Sequence, residues 1–205
     1  MTWSGNELRA QVTKAARGLG YDWGRAKYLG ESVLRAERNQ IPALTTLLHL
    51  RGELDPSQSK LHQIHLSIGI DDPVDAVDLG IALVDRLPIL EFANETSFHV
   101  IGCPLFLGLL CYGLTGTERA LRIGIGAVDC VVQADRIDVR GVLPLRGQCV
   151  IVACPNRQGR WDATCRFTVS DADAAILEHY ASRVYAPATE ASRLAGAGAG
   201  LQDND

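Results

Sequence analysis

The period of the apolar residues changes along this chain, and that change restricts its fold more than any single motif. Leu8, Val12, Ala15 and Leu19 recur at helical spacing, as do Ala26, Leu29 and Val33. Beyond about residue 120 the spacing shortens to two. Trp161, Ala163, Cys165, Phe167 and Val169 alternate with Asp162, Thr164, Arg166 and Thr168, the pattern of a strand with one covered face. Helices in front and short-linked strands behind predict an α+β fold. Its parts are an N-terminal helical bundle, a mainly antiparallel sheet, a C-terminal helix and an ordered Gly-rich tail.

Local signals place the elements. Ser4 with Glu7 forms a capping box for the first helix, which stops at Gly18–Gly20. Asp22 caps a second helix, with Trp23, Ala26, Leu29, Val33 and Leu34 on its inner side, and Pro42 opens a third that ends near Gly52. Ile64 to Ile70 alternates as a strand, and Asp72-Pro73 is expected to open a helix with Val74, Val77, Ile81 and Val84 inside. A strand over 97–102 precedes a buried helix from Pro104 to about Gly113. Strands follow at Leu121–Gly126, Val128–Gln133, Ile137–Arg140, Cys149–Ala153 and Trp161–Val169, the last two predicted as a hairpin. Ser170 with Asp173 caps the final helix, whose Leu177, Tyr180, Ala181 and Val184 face inward. We read 1–205 as a single domain, with a helical subregion (1–55), a mixed one (60–118), a sheet plus helix (119–186) and a tail (187–205).

Charge and cysteine usage narrow the function classes. The chain carries a net charge of −4, whereas duplex binding usually rests on a basic surface. The first 60 residues hold nine Lys/Arg against six Asp/Glu; residues 61–100 hold one against seven. Nucleic acid is therefore not the expected partner. The competing helix-turn-helix reading would present Arg25, Lys27, Arg35 and Arg38 from residues 23–38, but Glu31 and Glu37 share that helix. The six cysteines lack a Cys-x-x-Cys pair and sit in apolar contexts, so they are expected to be reduced and mostly buried in a cytoplasmic protein. Thr96 to Thr117 is free of charge, yet its apolar core runs only from Val100 to Leu114 and contains Pro104. About 20 apolar residues span a bilayer, so a buried element is expected and no membrane.

Four motifs bear on chemistry. Asp71-Asp72-x-x-Asp75 has the carboxylate spacing of a magnesium–diphosphate site, but capping is the stronger explanation of acids at a helix start. His62 and His65, on a strand, would point to opposite faces and could not share one ion. No metal and no cofactor is expected. His99 near Cys103 suggests a base beside a nucleophile, although the apolar Val-Ile-Gly-Cys-Pro-Leu-Phe setting should raise the thiol's pKa and leave it inert. Finally, Arg193 precedes Gly196, Gly198 and Gly200, a backbone able to approach a ligand closely with an anion clamp beside it. The same composition also suits a flexible tail.

Two segments carry a resemblance. Trp3-Ser-Gly-Asn-Glu, continuing to Ala16-Arg-Gly-Leu-Gly and Trp23-Gly-Arg-Ala, resembles the opening of a bacterial family known as a domain of unknown function. The ending from Tyr185 through Ser192-Arg-Leu-Ala-Gly-Ala-Gly-Ala-Gly-Leu to Asp203-Asn-Asp resembles that family's ending more closely. The resemblance implies a cytosolic bacterial protein whose tail belongs to the fold, and it carries no catalytic residue across.

Two functional readings follow. The first is a metabolic enzyme, or a subunit of one, acting on a small anionic metabolite, with Glu190, Ser192, His65 and His99 as the nearest catalytic candidates and Arg193 as the anion contact. The second is a non-catalytic accessory protein that docks a larger metabolic enzyme. A homo-oligomer is compatible with either.

Overall fold

The computed structural model describes residues 1–54, 70–87, 96–154 and 166–184, without the side chains of residues 70–72. The fold is α+β. Strand β1 (Thr2–Ser4) leads into helix α1 (Gly5–Gly18), then α2 (Trp23–Arg38) and α3 (Ala43–Leu50). Strand β2 (Ile70–Asp75), helix α4 (Ala76–Arg86), strand β3 (Thr96–Ile101) and helix α5 (Cys103–Gly113) follow in alternation. Strands β4 (Ala120–Ile125), β5 (Val128–Gln133), β6 (Arg136–Arg140), β7 (Arg146–Cys154) and β8 (Arg166–Thr168) then precede helix α6 (Asp171–Ser182).

The caps act as their residue types predict. Ser4 and Glu7 form both bonds of the capping box on α1, Asp22 Oδ1 accepts from Arg25 N at 2.9 Å, and Ser170 Oγ accepts from Asp173 N at 3.0 Å. Each satisfies backbone donors that a helix start otherwise leaves without a partner.

The main sheet runs β2-β3-β7-β4-β5-β6. Only β2 and β3 are parallel among its described pairs, joined through α4 as a crossover. One face carries Phe98, Val100, Ile123, Cys130, Cys149 and Ile151, all essentially buried. Helix α4 packs against β2 and β3, and α5 against β5 and β6. Helix α2 lies over α5 and touches α1, α3 and α4 as well, while α6 closes against α1 and α3. The front helices therefore do not stand apart as a separate bundle. They share one stack with α4, α5 and α6.

That stack explains the uncharged stretch. Every residue from Cys103 to Cys111 is buried, because α5 is covered by the sheet on one side and by α2 on the other, so a helix apolar all round is expected there. No helix among the described residues is long and apolar enough to cross a membrane.

Two predicted elements need correction. Asp72-Pro73 does not open a helix: residues 70–75 are strand, and α4 begins at Ala76 with Asp75 as its cap. A proline is tolerated because β2 has a described neighbour on one side only. The hairpin of Cys149–Ala153 with Trp161–Val169 is also replaced. Both sides of β7 are occupied, by β3 and β4, and the described end of the last strand pairs with β1, Trp3 opposite Phe167. The predicted strand over 64–69, Trp161–Cys165 and the tail after Val184 lie outside the described residues.

Candidate functional site

A cluster of charged and polar groups forms where the α1–α2 turn meets the start of α4. Gly20 (φ +108°) takes a backbone conformation that favours glycine, and the chain turns to bury Tyr21 to 1% exposure. Its hydroxyl donates to Asp75 Oδ2 at 3.3 Å. The other carboxylate oxygen of Asp75 accepts from Val77 N at 2.6 Å, which caps α4. Arg25, near the start of α2, donates from Nε to Asp22 at 2.6 Å and from Nη1 to Asp78 at 3.4 Å. Its guanidinium lies 5.7 Å from the centre of the Tyr21 ring.

Electrostatics follow from this packing. Loss of water around the carboxyl is the main cause that pushes Asp75 up to about 6, with neighbouring Asp78 adding to it. Tyr21 is driven well above the usual phenol range by burial and by Asp75. Asp22 goes the other way, held down chiefly by the Arg25 backbone N–H. Asp75 as a whole is half-buried. Asp75 is thus held above the ordinary carboxylate range, with the Tyr21 phenol bonded to it and the Arg25 guanidinium nearby. At the rim, Trp23 is 59% exposed, with the Arg17 guanidinium 4.9 Å from its ring centre. This corrects its predicted place on the inner side of the helix: Trp23 is the first residue of α2, beyond the covered part.

The sequence-derived candidates scatter. His99 sits on β3 opposite Gln148, on the sheet face away from Phe98 and Val100. Cys103 is fully buried, its Sγ 3.8 Å from Val100 O, so the imidazole and the thiol do not form a base–nucleophile pair. The Cys103 thiol is nonetheless lowered rather than raised, chiefly by a hydrogen bond with the Cys149 side chain. His62, His65, Glu190, Ser192, Arg193, Gly196, Gly198 and Gly200 lie outside the described residues, as does Cys165. Of the acidic motif, only Asp75 has a described side chain, and it caps the helix. Among the described residues no group of three or more His, Cys, Asp or Glu could hold a metal ion.

Two of the four side chains in the helix-turn-helix reading are engaged within the fold, while Lys27 is exposed and Arg38 half-buried. Arg35 bonds Asp135 in the β5–β6 turn, Arg25 bonds Asp22 and Asp78, and most of α2 from Leu29 to Ala36 is buried. Tyr21 and Asp78 belong to this cluster and sequence reasoning misses them, while Arg25 is read there only as a helix-turn-helix contact. The signal for Asp75 is present, as an acid at a helix start, but nothing local marks Tyr21 as its partner 54 positions away.

No curated protein and no solved structure matches the chain. The family match covers the front of the molecule, where Tyr21, Asp22 and Arg25 lie: residues 3–69 fit the model of a family described as "Protein of unknown function (DUF3726)".

Proposed function

We propose that the chain is an enzyme, or a subunit of one, acting on a small anionic metabolite, with Asp75 as its proton-transfer group. The observation that carries this reading is the Asp75 carboxyl, pushed up to about 6 and bonded to Tyr21. The Arg17–Trp23 stack near the α1–α2 turn offers positive charge and a flat aromatic surface, while Arg25 is held by Asp22 and Asp78. The α6 backbone at Tyr180 lies against Gly18, so the chain leaves that helix on the same side as the α1–α2 turn. Arg193, with Gly196, Gly198 and Gly200, is in this reading the clamp that follows.

Exposed Trp23 supplies the test. Titration with inorganic phosphate, pyrophosphate and citrate should change tryptophan emission in the native protein and not in Trp23→Phe. Asp75→Asn should keep that binding but lose turnover of whichever anion is processed. Truncation after Ala186 should weaken the binding. If none of the three anions perturbs the emission, the anionic-metabolite reading fails.

A specific observation favours the second reading, a protein-docking accessory. Val142 is 91% exposed and borders a groove lined by Ile41, Pro42, Ile137, Val139 and Leu143. Under this reading Val142→Lys abolishes association with the partner enzyme and leaves anion-dependent tryptophan emission untouched.

A further inference from the structure

We propose that Cys103 and Cys149 are an oxidisable pair that closes into an intramolecular disulfide when the protein meets a peroxide. The two residues come from different elements, the first turn of α5 and the middle of β7. Val100 and Gly147 face each other across β3 and β7, and each sulfur sits 3.8 Å from one of their carbonyls: Cys103 Sγ from Val100 O, Cys149 Sγ from Gly147 O. The side chains hydrogen-bond each other. Both are free thiols and both are fully buried.

Other cysteines supply the contrast. Cys111 and Cys130 are also buried, and loss of water pushes each up to about 12, as expected of inert core thiols. Cys154, at the end of β7, is only partly covered. Cys103 moves in the opposite direction from the core thiols because the Cys149 thiol donates to it. In the proposal Cys103, at the first turn of α5, is the attacking sulfur and Cys149 the resolving one.

The chemistry balances with hydrogen peroxide as oxidant. The Cys103 thiolate attacks one peroxide oxygen; an S–O bond forms, the O–O bond breaks, and the departing hydroxide takes up the proton Cys103 released. Cys149 sulfur then attacks the sulfenic sulfur, the S–S bond forms, the S–O bond breaks, and water leaves with the Cys149 proton. Two thiols are oxidised and one peroxide is reduced to two waters. Residues 141–145, a stretch without regular structure, lie over the start of α5, where the Leu145 carbonyl accepts from both Gly102 N and Cys103 N at 2.8 and 3.0 Å; in the proposal, peroxide enters when this stretch opens. Leu145 itself is 38% exposed.

The full chain, reduced and freed of reductant, is treated with hydrogen peroxide under native conditions and mapped by peptide mass spectrometry without reduction. The expected product has lost two hydrogens and contains a peptide joining Cys103 to Cys149. Cys103→Ser and Cys149→Ser each remove it, whereas Cys111→Ser leaves it in place. Should the serine variants fail to fold, the peptide map of the unmodified chain decides alone. Oxygen addition without the cross-link, a cross-link through Cys130, Cys154 or Cys165 in its place, or a cross-link that forms only in denaturant would each overturn the proposal.

Discussion

Glycine plays opposite parts in the helix stack and on the open face of the sheet. In the stack it marks where two backbones touch. A methyl group on Gly108 of α5 would strike the backbone of Ser32 on α2, and one on Gly18 would strike the carbonyl of Tyr180. The Ser32 hydroxyl also donates to Leu105 O at 2.6 Å across the α2–α5 contact. On the sheet, Gly124 of β4 has nothing within 4 Å of where its Cβ would stand. Its neighbours on that face, Val150 and Val152, are only partly covered. One region has no room for a methyl group, and the other has room and nothing to fill it. Close-packed interiors transmit a volume change of one methyl, and an open face absorbs it.

The largest expected effect tests whether the two-stranded β1–β8 clip belongs to the packed region. Phe167 is 6% exposed in that clip, and Phe167→Ala should cost about 3–5 kcal/mol. A loss below about 1 kcal/mol in denaturant titration would place the clip outside the core. Gly108→Ala should cost about 3 kcal/mol, since backbone rather than a movable side chain must yield. An unchanged denaturation midpoint would mean that α2 and α5 are not in close contact.

Next in size is a pH effect at the α1–α4 junction. Asp75 binds its proton more tightly folded than unfolded, because its pKa rises from 3.8 to about 6. Its contribution is therefore fully present below about pH 4 and is lost as pH rises through about 6, an effect of about 2 kcal/mol once the residue's partial exposure is allowed for. Asn in its place can still accept from Val77 N. Asp75→Asn should flatten the stability profile between about pH 4 and 7 relative to the native chain, and parallel profiles would refute the assignment. The smallest effect is Gly124→Ala, expected to stabilise by less than about 1 kcal/mol through the unfolded state. A loss of more than that would show the outer sheet face to be covered after all.

What can be read in advance follows the range of the interaction. Ser4 with Glu7, Asp22 with Arg25, and Ser170 with Asp173 act over three residues, so each is legible as a cap. The strands from Leu121 to Arg140 are legible because alternation and short turns are also local. The start of α4 is ambiguous in the sequence because Asp72-Pro73 and Asp75 both look like helix openings, and only pairing of Val74 with Val100 decides between them. Strand β7 is recognisable, but its partners are not, since an apolar strand does not state which neighbours cover it. The candidate site suffers most: Tyr21 meets Asp75, and Cys103 meets Cys149, only after distant segments have folded together.

The β1–β8 clip has a consequence for how the chain is made. Thr2 pairs with Thr168, and α1 packs against α6, which ends at Ser182. A ribosome adding about 5–20 residues per second needs roughly 10–30 s to travel from the end of α1 to the end of α6. Throughout that interval the side of α1 that α6 will cover has no final partner. Helix α1 is made well ahead of the element that closes over it, so its α6-facing side waits uncovered for most of the time spent building the described fold.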